Sequence, residues 1–116
     1  MHKIPFSGRR EDFAFIMAND PDAKRLLWFI FAGSRGGLTR LKIVSKIKEN
    51  PLNTNQLANE LGLDYKAIQH HIKVLEKNNL ITKAGEKYGI MFFISTFLEV
   101  NMETFEEIEG KLDKSK

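Results

Sequence analysis

The chain has 116 residues and a net charge of +3, with 42% hydrophobic and 28% charged residues. This length and composition suit one folded domain and exclude a disordered chain. The absence of cysteine excludes disulfides, thiol catalysis and Cys-ligated metal sites. The longest apolar run, Leu26 to Ala32, is far shorter than the roughly 20 residues of a membrane span, and the N-terminus shows no signal peptide. We therefore expect a cytoplasmic protein with no membrane partner.

Residues 1–37 contain two predicted helices. The first, in "REDFAFIMAND", has Phe13 and Ile16 on one side. The second follows Asp20, a typical N-cap, and Pro21, which suits the first position of a helix. It is apolar on nearly every side over residues 26–31. Such a helix has to be buried, either in its own core or against a partner chain.

Three closely spaced helices are predicted next. "LTRLKIVSKIKENP" has an amphipathic period, with Leu38, Leu41, Val44 and Ile47 expected on its inner face. "NTNQLANELG" begins with Asn53 and Gln56 at the spacing of a capping box. Only Gly62 and Leu63 separate this helix from the next, which begins after Asp64. So tight a connection is typical of a helix-turn-helix.

The remaining chain changes from helical to alternating periodicity and back. "LITKAGEKYGIMFFIS" predicts a β-hairpin, which directly after a helix-turn-helix forms a wing. "TFLEVNMETFEEIEGKL" predicts one acidic helix with a single apolar stripe. We expect a mostly α fold with a small β-hairpin wing, a winged helix-turn-helix with extra N-terminal helices and a C-terminal helix. The expected divisions are 1–37, 38–95 and 96–116.

The predicted helix 64–78 has two different faces. At 100° per residue, Ile68, Ile72 and Leu75 lie on one side, with His71 at its edge. The opposite side holds Lys66, Gln69, His70, Lys73 and Lys77. We expect His71 to pack at the edge of the core against a backbone or side-chain partner. His70 instead lies among groups that can bond base edges or phosphates.

The charge is unevenly distributed along the chain. Residues 34–90 hold ten Lys and Arg against five Asp and Glu, whereas residues 91–116 hold three Lys against six acids. A basic middle with an acidic end is typical of a chain whose middle contacts a polyanion, but ordinary solvated faces give the same charge pattern.

No constellation for catalysis or metal binding is recognisable. Adjacent histidines on a helix diverge, whereas a metal usually takes ligands at i and i+4, and His2 is the only other histidine. No nucleophile stands at a recognisable spacing from a base, and "GSRGG" is not a phosphate-binding glycine loop. We therefore expect no enzyme, no metal site and no cofactor.

The segment "NTNQLANELGLDYKAIQHHIKVLEKNNLI" resembles the ArsR-type winged helix-turn-helix transcriptional regulators, especially archaeal members. The family's His-His-Leu-Lys-x-Leu run corresponds here to residues 70–75, and its Asn/Gly-Leu-Ile/Val step into the wing corresponds to residues 79–81. The resemblance covers about residues 38–95. Metal-sensing members carry a cysteine motif before the DNA-reading helix, and this chain lacks it.

The resemblance implies double-stranded DNA as the partner and gives roles to three sets of residues. The set expected in the major groove is Tyr65, Lys66, Gln69, His70 and Lys73. The set expected to contact phosphate is Arg40, Asn53 and Thr54. The set expected on the wing, against the flanking backbone or minor groove, is Lys83, Lys87 and Tyr88. No small-molecule effector can be assigned.

Apolar residues outside the winged helix predict a homodimer, because a small domain does not easily bury them all. The expected interface residues are Phe13, Ile16, Leu27, Trp28, Phe31, Leu98, Met102, Phe105 and Leu112. The alternative is that these residues complete the core of one chain. Two other functions stay open: a winged-helix protein-interaction module of the transcription or replication machinery, and an RNA-binding winged helix.

Overall fold

The computed structural model describes residues 20–87 and 89–113. The predicted residues Phe13, Ile16 and Tyr88 lie outside this part of the chain. In chain order the elements are α1 (Pro21–Trp28), a π-helical segment (Phe29–Gly33), α2 (Gly37–Glu49), α3 (Thr54–Leu61), α4 (Tyr65–Lys77), β1 (Ile81–Ala84), β2 (Met91–Ile94), α5 (Thr96–Val100) and α6 (Met102–Asp113).

The N-terminal helix begins as predicted. The side chain of Asp20 accepts a hydrogen bond from the backbone N–H of Asp22 at 2.9 Å, and Pro21 occupies the first turn. After Trp28 the helix widens into the π-helical segment and ends where Ser34 becomes extended. Because α1 and this segment are apolar on most sides, one side packs into the core while Phe29 stays 57% exposed.

The helix-turn-helix is confirmed, and local caps fix its ends. In α3, Asn53 accepts from the N–H of Gln56 while Gln56 accepts from the N–H of Asn53, both at 2.8 Å. This capping box was predicted from the spacing. Gly62 ends α3 in the left-handed region at φ +66°, which glycine adopts without strain. Asp64 then caps α4 by accepting from the N–H groups of Lys66 and Ala67.

The wing is a two-stranded antiparallel hairpin. Ile81 pairs with Ile94 at its base and Ala84 pairs with Met91 near its turn. The N–H of Phe92 also donates to the carbonyl of Leu52 at 2.9 Å. This bond attaches the wing to the loop between α2 and α3, so the wing is held beside the helix-turn-helix.

The C-terminal segment forms two helices where the sequence predicted one. Asn101 lies between α5 and α6, is 2% exposed, and donates from its side chain to the carbonyl of Phe97. Ser95 begins α5 by accepting from the N–H of Leu98, and its hydroxyl donates to the carbonyl of Asn79 at 2.7 Å. The C-terminal helices are thereby joined to the chain that enters the wing.

The helices at both ends share one core with the helix-turn-helix. The rings of Phe31 and Phe105 meet edge to face with centroids 5.1 Å apart. The hydroxyl of Ser45 donates to the carboxylate of Glu109, and Lys48 Nζ lies 3.3 Å from the same carboxylate. The buried cluster runs from Leu27 in α1 to Ile108 in α6.

This packing corrects part of the predicted dimer interface. Leu27, Phe31, Leu98 and Phe105 are 0% exposed within a single chain. They are not available to a partner, because the helices before and after the winged helix cover one another. Trp28, Met102 and Leu112 are only partly buried. Leu38, expected to face inward, is 53% exposed.

Candidate nucleic-acid interface

The solvent face of α4 carries the residues expected in the major groove. Ile68, Ile72 and Leu75 are buried on the inner face. The outward positions are all exposed, and they are Tyr65, Lys66, Gln69, His70 and Lys73. The helical period therefore separates a hydrocarbon face from a polar face with three lysines, counting Lys77 at its last turn.

A cleft of about 420 Å³ lies between α4, the start of α3 and the wing. Its lining brings together six of the predicted site residues: Asn53, Thr54, Tyr65, Gln69, Lys83 and Lys87. These residues come from three elements separated by up to 34 positions in the chain. Their convergence produces a concave polar surface, bordered by the lysines of the wing and by the middle of α4.

The start of α3 contributes a residue that the sequence analysis missed. Asn55 lines the cleft and is exposed. The side-chain oxygen of Asn53 is used by the capping box, so Thr54 and Asn55 have the freer side chains at this end of the helix. The N-terminus of a helix favours anions because unpaired N–H groups and the helix dipole point outward. The capping-box spacing was the signal for this position.

Glu76 also lines the cleft and was not predicted as a site residue. It lies near the end of α4 and lines the same cleft as Lys83 and Lys87 of the wing. A carboxylate there repels phosphate oxygens and can accept a hydrogen bond from an exposed amino group such as cytosine N4. It therefore restricts which part of a polyanion can enter the cleft.

Lys66 and Lys73 of α4 differ from Lys46 and Lys48 of α2 in their ion pairs. Lys46 pairs with Glu60 at 3.6 Å, and Lys48 lies near Glu106 and Glu109. Among the residues that the structure describes, neither Lys66 nor Lys73 takes part in an ion pair. Their charge is thus not offset by a neighbouring carboxylate and is available to a ligand.

Arg40 does not belong to this surface, which corrects its predicted contact with phosphate. It is 4% exposed. Its guanidinium donates to the carbonyl of Ile30 at 3.1 and 3.2 Å, to the hydroxyl of Ser34 at 2.6 Å and to the carbonyl of Arg35 at 3.0 Å. Burial lowers the pKa of Arg40. Arg40 thus joins α2 to the end of the π-helical segment.

The two adjacent histidines have different surroundings, as expected. His70 is exposed on the polar face. His71 is half-buried, and its Nδ1 lies 3.3 Å from Arg40 Nη1. Desolvation, followed by the charges of Arg40 and His70, lowers the pKa of His71. His71 is therefore a partner of the core arginine, as the expected packing at the core edge requires.

The described residues were also considered for metal binding and for membrane-spanning helices. Within residues 20–87 and 89–113, no group of three or more His, Cys, Asp or Glu side chains is placed to hold a metal ion. Over the same residues, no helix has the length and apolar character needed to cross a membrane.

Comparison with known proteins finds a family match over the same helices that form the cleft. The family model described as bacterial regulatory protein, arsR family, matches residues 38–83. The chain carries an ArsR-type winged helix-turn-helix. This match spans α2, α3, α4 and most of β1, so it includes the outward face of α4. The family is one of transcription regulators, and it indicates DNA-binding regulation as the class of function.

Solved structures of transcription regulators share the fold of this chain. Reduced HlyU from Vibrio cholerae is 22% identical, with a TM-score of 0.57 over 72% of this chain and 83% of its own. The transcriptional regulator Tm0710 from Thermotoga maritima is 19% identical, with a TM-score of 0.56 over 90% of this chain and 72% of its own. The oxidized form of MarR from E. coli is 15% identical, with a TM-score of 0.55 over 97% of this chain and 84% of its own.

These three relatives are bacterial, so they give no support to a particular likeness to archaeal members. No curated protein matches the sequence. The family match thus rests on residues 38–83, while the structural matches extend the likeness in fold to the flanking helices.

Proposed function

We propose that the protein regulates transcription by binding double-stranded DNA as a homodimer, with α4 in the major groove of each half of a pseudo-palindromic site. The observation that carries the proposal is the outward face of α4, where Gln69, His70 and the unpaired Lys66 and Lys73 stand beside the cleft. Such a helix fits the major groove, whose base edges offer a distinct pattern of donors and acceptors for each base pair.

The roles of the residues follow from their positions and chemistry. Gln69, at the middle of α4 and in the cleft, has the amide that suits paired hydrogen bonds to adenine. Lys66, His70 and Lys73 extend to guanine edges or to phosphates on either side. Lys83 and Lys87 lie across the cleft on the wing, where they contact the flanking backbone. Thr54 and Asn55 contact phosphate at the start of α3, with Asn53 holding the turn.

A dimer is proposed because one winged helix reads few base pairs. Two copies related by a two-fold axis read half-sites about 10 base pairs apart. The side chains proposed for the interface are those left accessible by the core, namely Trp28, Phe29, Met102 and Leu112. Phe29 was not in the predicted set, but its ring is the most exposed large apolar group described. An exposed aromatic ring beside a half-buried Trp28 is the kind of surface that a second copy covers.

The regulatory effect would depend on where the bound dimer lies relative to the promoter. A dimer on a promoter excludes polymerase or a basal factor by steric overlap, and a dimer beside a promoter can instead recruit them. The surface described is compatible with both outcomes, because it contains the groups that bind DNA and not those that contact the transcription machinery.

The first test is a fluorescence-anisotropy titration with a random-sequence duplex at about 50 and 200 mM salt, the range over which phosphate contacts show themselves. We expect binding that weakens steeply as salt rises, because lysines displace counterions from phosphate. The matched control is the variant Lys66→Gln/Lys73→Gln, which should bind more weakly with a shallower salt slope. Absence of binding at the lower salt would contradict the proposal and favour a protein-interaction module.

A further inference from the structure

The contact between His71 and Arg40 requires the neutral form of His71. An arginine side chain has only donors, so Nη1 at 3.3 Å from Nδ1 requires that Nδ1 be the unprotonated acceptor. The proton of the neutral ring then stands on Nε2. In the charged imidazolium both nitrogens carry protons, and two donors would face each other across this distance. The contact therefore exists only while His71 is neutral.

Arg40 connects this ring to the N-terminal helices. Its Nε and Nη2 both donate to the carbonyl of Ile30 in the π-helical segment, and Nη2 also donates to Ser34 and Arg35 in the turn before α2. Nη1 is the atom directed to α4, through His71. A single guanidinium thus joins the N-terminal helical segment, the turn and the DNA-reading helix.

The turn fits closely around both side chains. Gly36 has φ +83°, and a Cβ built on it would stand 2.7 Å from Cε1 of His71 and 3.1 Å from Nη1 of Arg40. Only a residue without a side chain leaves room for the ring and the guanidinium together. A displacement of His71 therefore changes the packing of the turn and does not remain confined to the ring.

The charges around His71 make a proton costly there. The charged or titratable groups that face it are Arg40 from α2 and His70 from its own helix. The turn presents Gly36 to the ring and the Arg35 carbonyl to Arg40. Among the residues described, no carboxylate forms an ion pair or hydrogen bond with His71 or Arg40. Protonation would place an imidazolium against a guanidinium with no counter-charge beside them.

We propose that His71 is a positioning residue for α4, acting through Arg40, and that its protonation releases this contact and weakens binding of DNA at the cognate site in mildly acidic solution. The proposal rests on the function proposed above, because it assigns a proton-sensitive step to the same surface. His71 does not touch DNA: it lies on the inner edge of α4, whereas His70 lies on the outer face.

Protonation of His71 is expected to change the affinity for DNA in the opposite direction to protonation elsewhere on the protein. Acid adds positive charge to a protein, which by itself strengthens nonspecific attraction to phosphate. Release of the contact between His71 and Arg40 acts in the opposite direction, because it loosens the placement of α4 relative to α2. Specific affinity is therefore expected to fall in acid relative to a variant that cannot be protonated at position 71.

The test compares wild type with His71→Gln, which keeps an acceptor and does not titrate. The probe is a duplex selected by the wild-type protein from a random pool at pH 7.5. Its dissociation constant is measured at pH 7.5 and pH 5.5, with His70→Gln as the matched control and thermal unfolding as a check of folding. We expect wild type and His71→Gln to have similar affinities at pH 7.5 and, at pH 5.5, a wild-type affinity at least about fivefold below that of His71→Gln. His70→Gln also removes a proposed DNA contact, so its affinity at pH 5.5 is compared only with its own affinity at pH 7.5. His70→Gln should retain the acid loss.

The titrations are decisive if a duplex is selected, and NMR is decisive if none is. Equal acid dependence of wild type and His71→Gln would overturn the proposal. If no duplex is selected at pH 7.5, the proposed function fails, and the inference is then judged by NMR on the wild-type protein alone. An Nε2–H tautomer at pH 7.5, with amide signals of residues 34–36 that shift as His71 titrates, would support the coupling. Unshifted amides, or an Nδ1–H tautomer, would overturn it.

Discussion

The rings of Phe31 and Phe105 meet at an interplanar angle of 77°, joining the end of the N-terminal helical segment to the first turn of α6. Lys48 of α2 lies over the ring of Phe105, with Nζ 5.6 Å from its centroid. The helices that flank the winged helix-turn-helix therefore stabilise it. The dimer that we propose would have to form on the side chains that these contacts leave exposed.

Phe105→Ala should lower the free energy of unfolding by about 3–5 kcal/mol, since a fully buried ring is replaced by a cavity and the edge-to-face contact is lost. Urea denaturation followed by circular dichroism measures this. Phe29→Ala is the control: its ring is largely exposed, so the change should stay within about 0.5 kcal/mol in the monomer. Similar losses for both variants would contradict the placement of these two rings.

Phe29 should matter for assembly instead. Phe29→Glu puts a charge on the exposed apolar surface beside Trp28, so we expect the dimer to dissociate while the fold is kept. Sedimentation equilibrium at micromolar concentration measures the change, with Lys42→Glu, an exposed charge reversal on α2, as the control. A wild-type protein that sediments as a monomer would contradict the proposed dimer. A dimer unaffected by Phe29→Glu would move the interface elsewhere.

Substitutions on the proposed DNA-binding surface should affect binding in two different ways. Gln69→Ala should cost about 1–3 kcal/mol on the preferred duplex and relax the preference at one base pair, because it removes a contact to a base edge. Lys83→Ala should weaken all duplexes about equally and reduce the slope of log K against log salt by about 1, because it removes a phosphate contact. Titrations with the preferred and a scrambled duplex at several salt concentrations separate the two. Identical behaviour of both variants would contradict this division.

Two glycines should respond oppositely to alanine. Gly36→Ala forces a Cβ into the left-handed region and against His71, so it should destabilise the protein by at least about 1–2 kcal/mol. Gly110 lies inside α6 with no atom within 4 Å of the position of a Cβ. Gly110→Ala should therefore stabilise by about 0.5–1 kcal/mol. Thermal unfolding measures both. A harmless Gly36→Ala would mean that the turn has room for a side chain beside His71.

The parts of the candidate nucleic-acid interface that depend on a local sequence pattern could be predicted from the sequence. The faces of α4 follow from the spacing of Ile68, Ile72 and Leu75, and the start of α3 follows from the spacing of Asn53 and Gln56. Both depend on residues within one or two helical turns of each other. The hairpin also follows from two neighbouring runs of β-forming residues, whereas its register is known only from the structure.

The sequence could not place Arg40, because its burial depends on distant acceptors. An arginine on an amphipathic helix normally extends into solvent, and the carbonyls of Ile30 and Arg35 with the hydroxyl of Ser34 make an interior position stable here. Phe105 shows the same limit. A helical stripe predicts that an apolar face is covered, but it does not say whether the cover is Phe31 of the same chain or a second copy.

Stability should fall in mild acid through His71, even without DNA. Its pKa in the folded protein lies below its ordinary value of about 6.5, so below that pH the unfolded chain binds more protons than the folded one. The free energy of unfolding should therefore decrease from about pH 6.5 downward and level off below the folded pKa of His71. Urea denaturation at intervals from pH 7.5 to 5 measures this, above the range in which carboxylates dominate. His71→Gln should flatten the curve. A decrease that persists in His71→Gln would assign it to another group.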